Sequence, residues 1–257
     1  MSIDRSNIQS VGKCFSILEL FGRNVEELRV KDISDKLEMP ASSVHRALTT
    51  LEELGYIEQN LLTGKYRLGV KAFILGSNVN HINKLVATSL PYLAQLATKY
   101  KCVSHIAVEQ NGKVLCVEKF GDYKKRNTIV PYKGQHHYIQ VTSLGKVILA
   151  YLPQVKQKAI IERHIIFKKF TDYTITTRES LYKELHVIKN QGYSIDYQES
   201  ELGLFCFGAP IFNPPGHVVS AISVSMYDPP HDLDKNQVIV DITKIAREIS
   251  DQLSETY

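Results

Sequence analysis

The sequence predicts an α+β protein in two parts, and three observations lead there. Up to about residue 55, apolar residues recur at three- and four-residue steps in three short stretches, the mark of small amphipathic helices. Directly after them come two short strand-like runs around a Gly-containing turn. Beyond residue 100, strands and helices follow one another, and hairpin turn chemistry separates several of the strands. A chain of 257 residues has room for two domains of ordinary size. They are placed at 1–76 and 91–257, joined by a linker helix over 77–90. No Gly/Ser-rich or Pro-rich run makes that joint flexible.

In chain order, Val11, Cys14, Phe15, Leu18 and Phe21 form the stripe of a first helix that ends at Gly22. A second, short helix runs from Lys31 to Leu37, with Ile33 and Leu37 inward. Met39-Pro40 breaks it, because a residue before proline is pushed out of helical geometry. A third helix covers Ala41 to Leu54, with Val44, Leu48 and Leu51 buried and Gly55 as its stop. Tyr56–Glu58 and Lys65–Leu68 are strands around the turn 60–64. From Val70 to Tyr100 the pattern is helical, interrupted near Pro91, which suits the first turn of a new helix starting near Ser89. Ile74, Leu75, Val79, Ile82 and Leu85 supply an apolar stripe for the linker and for a contact between chains.

Further on, Asn111-Gly112 supplies the positive φ angles of a tight hairpin between Cys102–Gln110 and Lys113–Phe120. A strand is expected over 127–130 and a helix over 142–152. Another helix opens on a capping box of Thr176 and Glu179 and closes at Gly192. Strands follow over 193–200, 204–212 and 216–226. The last helix buries Val238, Ile242, Ile245, Ile249 and Leu253. A mostly antiparallel sheet with helices against it is the expected C-terminal architecture.

Composition narrows the function classes. Hydrophobic residues at 44% and charged residues at 23% exclude intrinsic disorder. The four cysteines, Cys14, Cys102, Cys116 and Cys206, are scattered with no CxxC or Cys/His spacing, so neither a disulfide scaffold nor a zinc site is expected. The start MSIDRSNIQS lacks the apolar stretch of a signal peptide, and no uncharged run approaches the roughly 18 residues of a membrane span. A cytoplasmic protein with no membrane partner is expected. Charge is uneven: net zero over 1–75, +10 over 76–175 and −6 over 176–257. The excess sits mid-chain, so the overall charge says little about nucleic acid. No Walker loop, GxGxxG, HExxH or GxSxG occurs, and the histidines, His136-His137 included, show no metal-ligand spacing. No enzyme activity, cofactor or metal is expected.

Three small helices and a β-hairpin outline a winged helix-turn-helix, the arrangement that pushes one helix into a major groove. The outward face of the third helix shows Ser42, Ser43, His45, Arg46 and Thr49, donors and acceptors suited to phosphates and base edges. No acid occurs from Pro40 to Leu51, and the hairpin adds Lys65 and Arg67. Duplex DNA is the expected partner.

The stretch KLEMPASSVHRALTTLEELGYIEQNLLTGKYRLG closely resembles the DNA-binding region of IclR-type transcriptional regulators. Pro40, Ser42, Val44, His45, Arg46, Leu48, Leu51, Gly55, Tyr56, Tyr66, Leu68 and Gly69 match it in register. The family often has Lys where this chain has Ala41. TSLGKVILAYLP and DYQESELGLFCFGAPIFNPPGHVVSAISVS resemble two further segments of the same family. The resemblance implies a GAF-like C-terminal domain that binds a small effector, commonly an organic acid, and takes part in tetramer formation. By the same resemblance, effector-pocket positions are Ser143, Leu144, Asp196, Cys206, Ser223 and Ser225. Tyr138-Ile139-Gln140 and Ser143 depart from the family pattern and make the pocket rim more polar.

The residues themselves describe such a pocket. Thr142 or Ser143 caps a helix, so backbone N–H groups and the positive end of the dipole offer an anion site. Ser223 and Ser225 alternate with Ile222 and Val224, which places both hydroxyls on one sheet face. Asp196 lies on a strand where an acid needs a partner, and Lys133 stands in a loop where a solvated lysine is expected ahead of a charge contact to the ligand. The expected protein is a dimeric or tetrameric regulator, with repression as its expected sign, binding a palindromic operator under control of a small carboxylate. Two rivals stand beside it. One is a small-acid enzyme using Asp196 and Cys206, with an N-terminal interaction module; the other is a DNA-bound structural factor with an empty C-terminal domain.

Overall fold

The structure is a computed structural model describing residues 8–22, 25–121 and 133–254. The strand expected over 127–130 lies outside the described residues. The chain divides into two compact units, Met1–Asn80 and His81–Tyr257.

The N-terminal unit holds α1 (Gln9–Leu18), α2 (Val30–Leu37), α3 (Ala41–Glu53), β1 (Ile57–Gln59), β2 (Tyr66–Leu68) and α4 (Val70–Ser77). Its core gathers Ile17, Phe21, Ile33, Val44, Leu48, Leu51, Ile57 and Tyr66. The expected stripes of α2 and α3 hold. That of α1 is rotated: Ile17 is its buried residue, while Val11 and Phe15 are exposed. Cys14, Ile17 and Phe21 follow the three- and four-residue steps equally well, and α1 turns that face to the core. The bend between α2 and α3 is made by Glu38 in the left-handed region, with the Ser34 hydroxyl donating to Met39 O at 2.5 Å. Leu28 exchanges both backbone hydrogen bonds with Tyr66, an isolated antiparallel bridge that ties the segment before α2 to the wing. A Cβ on Gly69 would lie 2.5 Å from Gly55 O, so glycine there lets the end of the wing close on the end of α3.

The C-terminal unit holds α5 (Asn80–Tyr100), β3 (Val103–Gln110), β4 (Lys113–Phe120), β5 (His136–Tyr138), a 3₁₀ turn at Ile139–Val141, α6 (Ser143–Tyr151), α7 (Gln154–Arg163), α8 (Arg178–Gln191), β6 (Ser194–Tyr197), β7 (Leu204–Asn213), β8 (His217–Tyr227) and α9 (Lys235–Ser254). Six strands form one antiparallel sheet in the order β5-β4-β3-β8-β7-β6. Alternation along the strands separates two cores. Ile106, Phe207, Ala209, Ile222, Val224 and Met226 meet α5 and α9 on one face. Ala107, Val114 and Ala221 meet α6, α7 and α8 on the other. The hairpin turn has Asn111 and Gly112 at φ 52° and 76°, as Asn-Gly requires.

Several boundaries differ from expectation. The helix cap before α8 is Thr177, whose hydroxyl accepts from Ser180 N at 3.2 Å, instead of Thr176 with Glu179. Both threonines stand before the same run, so residue type alone does not choose between them. α5 begins at Asn80 and carries Pro91 in its interior, and Ile82 and Leu85 pack in the C-terminal core. Val70, Phe73, Ile74 and Leu75 of α4 are exposed. The stripe expected to run from Ile74 to Leu85 is therefore divided between two helices with different surroundings. α7 and β5 were not foreseen. One buries only Ile160 and Ile161, and the other is three residues long, so neither shows a strong period.

Candidate DNA-contact and effector sites

Each turn of α3 is anchored by Val44, Leu48 or Leu51, which leaves Ser42, His45, Arg46 and Thr49 exposed and Ser43 half-buried. The two threonine hydroxyls of α3 are drawn back into the helix: Thr49 donates to His45 O and Thr50 to Arg46 O, both at 3.1 Å. His45 and Arg46 are thus the long polar groups this face presents. On the wing, Lys65 is half-buried, and Arg67 is tied to Glu58 on the facing strand at 2.6 Å. That pairing offsets part of the positive charge the hairpin brings. Glu58 belongs to the preceding strand and comes opposite Arg67 only through hairpin register.

The six expected effector residues converge. Two rows run across the sheet on the α6 side. One is Asp196–Cys206–Ser225–Val103 and the other is Ser194–Gly208–Ser223–His105. Ser143 and Leu144 open α6 directly above them, and all six residues are buried. Ser223 and Ser225 are therefore not solvated hydroxyls of a strand edge. Ser194 Oγ donates to Ser143 O at 2.6 Å, and a Cβ on Gly208 would sit 2.9 Å from Ser143 C. The absence of a side chain at Gly208 is what lets α6 rest its first turn on β7. Thr142 caps the helix by accepting from Gly145 N at 3.1 Å, and the first intrahelical bond is Lys146 N to Thr142 O. The N–H groups of Ser143 and Leu144 precede that bond, so they are donors the helix itself does not use.

Asp196 has both oxygens engaged: Oδ1 accepts from Glu199 N at 2.7 Å and Oδ2 from the Ser200 hydroxyl at 2.8 Å. Burial pushes its carboxyl up to about 6 despite those bonds. Burial also pushes the Cys206 thiol well above its ordinary range, with the Asp196 charge adding to the effect. A thiol held protonated is a poor nucleophile. Lys133 pairs with Glu118 at 2.9 Å.

Lys146 was missed by the sequence reading. Its side chain is 1% exposed, with Nζ donating to Glu184 at 2.8 Å, to Ile195 O at 2.7 Å and to Glu199. Burial works against its charge, but Glu199 and Glu184 outweigh that and hold it protonated above its usual range. Burial pushes Glu199 up to about 7, and its second oxygen has no hydrogen-bond partner among the described residues. One cation thus faces three carboxylates, counting Asp196. A lysine inside the apolar run SLGKVILA was the available signal, since a long charged side chain on a fully buried turn needs partners.

This cluster sets a pH dependence. Asp196 and Glu199 both have folded-state values above their ordinary ones, so the folded unit binds more protons than the unfolded chain between about pH 4 and 7. Their contribution to stability is complete below that window and is lost as pH rises through 6 and 7. Urea unfolding at about pH 5 and about pH 8 should show the loss, and Glu199→Gln should flatten it. A Glu199→Gln variant with the wild-type pH slope would contradict this assignment.

Other features add no competing chemistry. Among the described residues no group of three or more His, Cys, Asp or Glu is gathered as for a metal ion, and no helix is long and apolar enough to cross a membrane. A cleft of about 720 Å³ lined by Tyr151, Phe212, Asn213 and Arg247 lies toward the C-terminal end of α6 and includes none of the six effector positions.

Both units match known protein families. Residues 10–61 match the IclR helix-turn-helix domain, and residues 78–255 match the bacterial transcriptional regulator IclR C-terminal domain. The chain is 31% identical over 220 residues to the HTH-type transcriptional regulator XynR of Escherichia coli, covering 85% of this chain and 86% of that one. It is 29% identical over 248 residues to the regulator KdgR of Dickeya chrysanthemi, covering 96% and 80%. In fold it is similar to an IclR homologue from Microbacterium hydrocarbonoxydans complexed with 4-hydroxybenzoate. There the TM-score is 0.84 at 20% identity, over 95% of this chain and 98% of that one. Nothing in these relatives supports the small-acid enzyme.

Proposed function

This chain belongs to the IclR family of bacterial transcriptional regulators, and from that premise we propose that it grips a palindromic operator as a dimer or tetramer and answers to a small carboxylate. The DNA-binding half rests on one observation: α3 is held by three buried residues while His45 and Arg46 project from its exposed face. Arg46 reads a base edge or fixes register, and Ser42, Ser43 and Thr49 flank it. Lys65 meets phosphate from the wing. Arg67, neutralised by Glu58, contributes less. The exposed Val70, Phe73, Ile74 and Leu75 of α4 support pairing between chains, since the N-terminal unit leaves them uncovered. Two-fold pairing then sets two α3 helices about 34 Å apart, or a multiple of that.

Arg46→Ala should therefore cost about 1–3 kcal/mol of specific binding and relax sequence preference. Lys65→Ala should weaken binding to all sequences and lower the salt slope by about one unit. Both are read by titrating wild type and variants against duplexes enriched from a random pool. Equal specific affinity of wild type and Arg46→Ala would remove α3 from the interface.

The effector half rests on the convergence of Ser143, Leu144, Asp196, Cys206, Ser223 and Ser225. The N–H groups that open α6, with the serine hydroxyls, replace water around a carboxylate. Asp196 keeps a second carboxylate away from the far end, because two cannot share a dry site unless one takes a proton. The ligand is thus ordered with its carboxylate toward Ser143 and a hydroxyl donating toward Asp196, a keto group taking that place only when Asp196 carries a proton. The 4-hydroxybenzoate carried by one structural neighbour has that polarity. Occupancy biases the regulator only as far as the ligand prefers one of its states over the other.

A further inference from the structure

We propose that Leu61 and Leu62, side by side at the tip of the wing, enter the minor groove of the operator and wedge into a base step. The two side chains are 94% and 96% exposed, the most solvent-facing large apolar residues among those described. The turn that carries them is not loose. Asn60 N donates to Lys65 O and Gly64 N to Asn60 O, both at 2.8 Å. Asn60 Oδ1 accepts from Leu62 N at 3.0 Å and from Thr63 N at 3.3 Å. From outside the hairpin, Glu27 accepts from Asn60 Nδ2 at 2.6 Å and from the Thr63 hydroxyl at 3.0 Å; within it, Gln59 Nε2 donates to Gly64 O at 3.0 Å. Nearly every polar group of the turn is spent on fixing its shape, and what the turn displays is a leucine pair.

A rigid, doubly apolar tip gains nothing from water and fits a partner whose contact surface is apolar. The wing shares its core with the recognition helix, since Ile57 and Tyr66 pack with Val44 and Leu48, so the tip is carried to DNA whenever α3 is. The minor groove offers deoxyribose walls and base steps that leucine side chains can part, kinking the duplex toward the major groove. Lys65, next to the tip, supplies the phosphate contact that such an entry needs. Pyrimidine–purine steps unstack most readily, so the wedge confers preference at base pairs flanking those read by α3. This inference rests on the DNA-binding reading above.

The test is selection from a random duplex pool by the full-length wild type and by the Leu61→Ser/Leu62→Ser double variant, followed by end-to-end energy transfer on the enriched duplexes. Both leucines are exposed, so the variant should melt with wild type. The wild type is expected to bend its duplex and enrich pyrimidine–purine steps beside the core. The variant should keep the core preference, lose the flanking one and the bend, and bind roughly tenfold more weakly. Equal bend and equal flanking preference in the two proteins overturn the wedge alone. Loss of self-association by the variant with the bend intact also overturns it and assigns the leucines to a contact between copies. A wild type that enriches no duplex takes down the DNA-binding reading and the wedge together.

Discussion

Lys146→Met is expected to destabilise the C-terminal unit by about 3–5 kcal/mol, the usual cost of removing one partner from a buried ion pair. The substitution keeps most of the side-chain volume, so the loss is electrostatic rather than a cavity. Glu199 would be left buried with neither oxygen paired to a cation, and Glu184 would lose its contact at 2.8 Å. The carbonyl of Ile195 would lose its donor as well, at the strand that carries Asp196. In a unit of this size the melting temperature should fall by roughly 10 °C. Urea unfolding followed by circular dichroism gives the measurement, and Lys146→Met with Glu199→Gln should recover part of the loss, because a neutral amide tolerates the site better than a stranded carboxylate. A single Lys146→Met variant within about 1 kcal/mol of wild type would mean that the carboxylates simply take up protons, and that the cluster is not held together by charge.

The strength of that expectation comes from a feature the sequence displays but its periodicity does not explain. Val44, Leu48 and Leu51 announce α3, and Val238, Ile242, Ile245, Ile249 and Leu253 announce α9, because burial of one face of a helix imposes the period that is read. The Asn111-Gly112 hairpin is legible because positive φ at two successive positions leaves few residue choices. The effector rows are half legible. Alternation puts Ser223 and Ser225 on one face, but their meeting with Asp196 and Cys206 depends on strand order, which brings β6 beside β7 and β7 beside β8. Lys146 and Glu199 lie far apart in sequence and meet only through the packing of α6 on that sheet, so the lysine in its apolar run signals a need for partners without saying which they are. The Arg67–Glu58 pair is hidden for the same reason on a smaller scale: hairpin register decides it. On α1, two stripes satisfy the same steps, and only the neighbouring helices choose between them.

Gly145→Ala is the second large effect, and its sign opposes intrinsic helix propensity. Alanine inside a helix is favoured over glycine by about 1 kcal/mol. At this position, however, an added Cβ would run into the oxygen, carbonyl carbon and Cα of Ile139, which are main-chain atoms that cannot rotate aside. The first turn of α6 would have to lift from the 3₁₀ turn at Ile139–Val141, straining the Thr142 cap that accepts from Gly145 N. Overpacking of this kind costs about 3 kcal/mol at the upper end of its usual range. The same movement carries Ser143 away from Gly208, so the N–H groups of Ser143 and Leu144 leave the position proposed for the carboxylate. Gly208→Ala approaches that first turn from the other side, with its new Cβ 2.9 Å from Ser143 C and 3.0 Å from Ser194 Oγ, and should show a milder version of both effects. Thermal unfolding reports the stability loss, and calorimetric titration with small hydroxy- and keto-carboxylates reports the binding loss, while affinity for duplex DNA, which the proposed function assigns to α3, should be retained. If Gly145→Ala melts with the wild type and binds the same carboxylates equally well, the 3₁₀ turn is free to give way, and the start of α6 is not a fixed anion cradle.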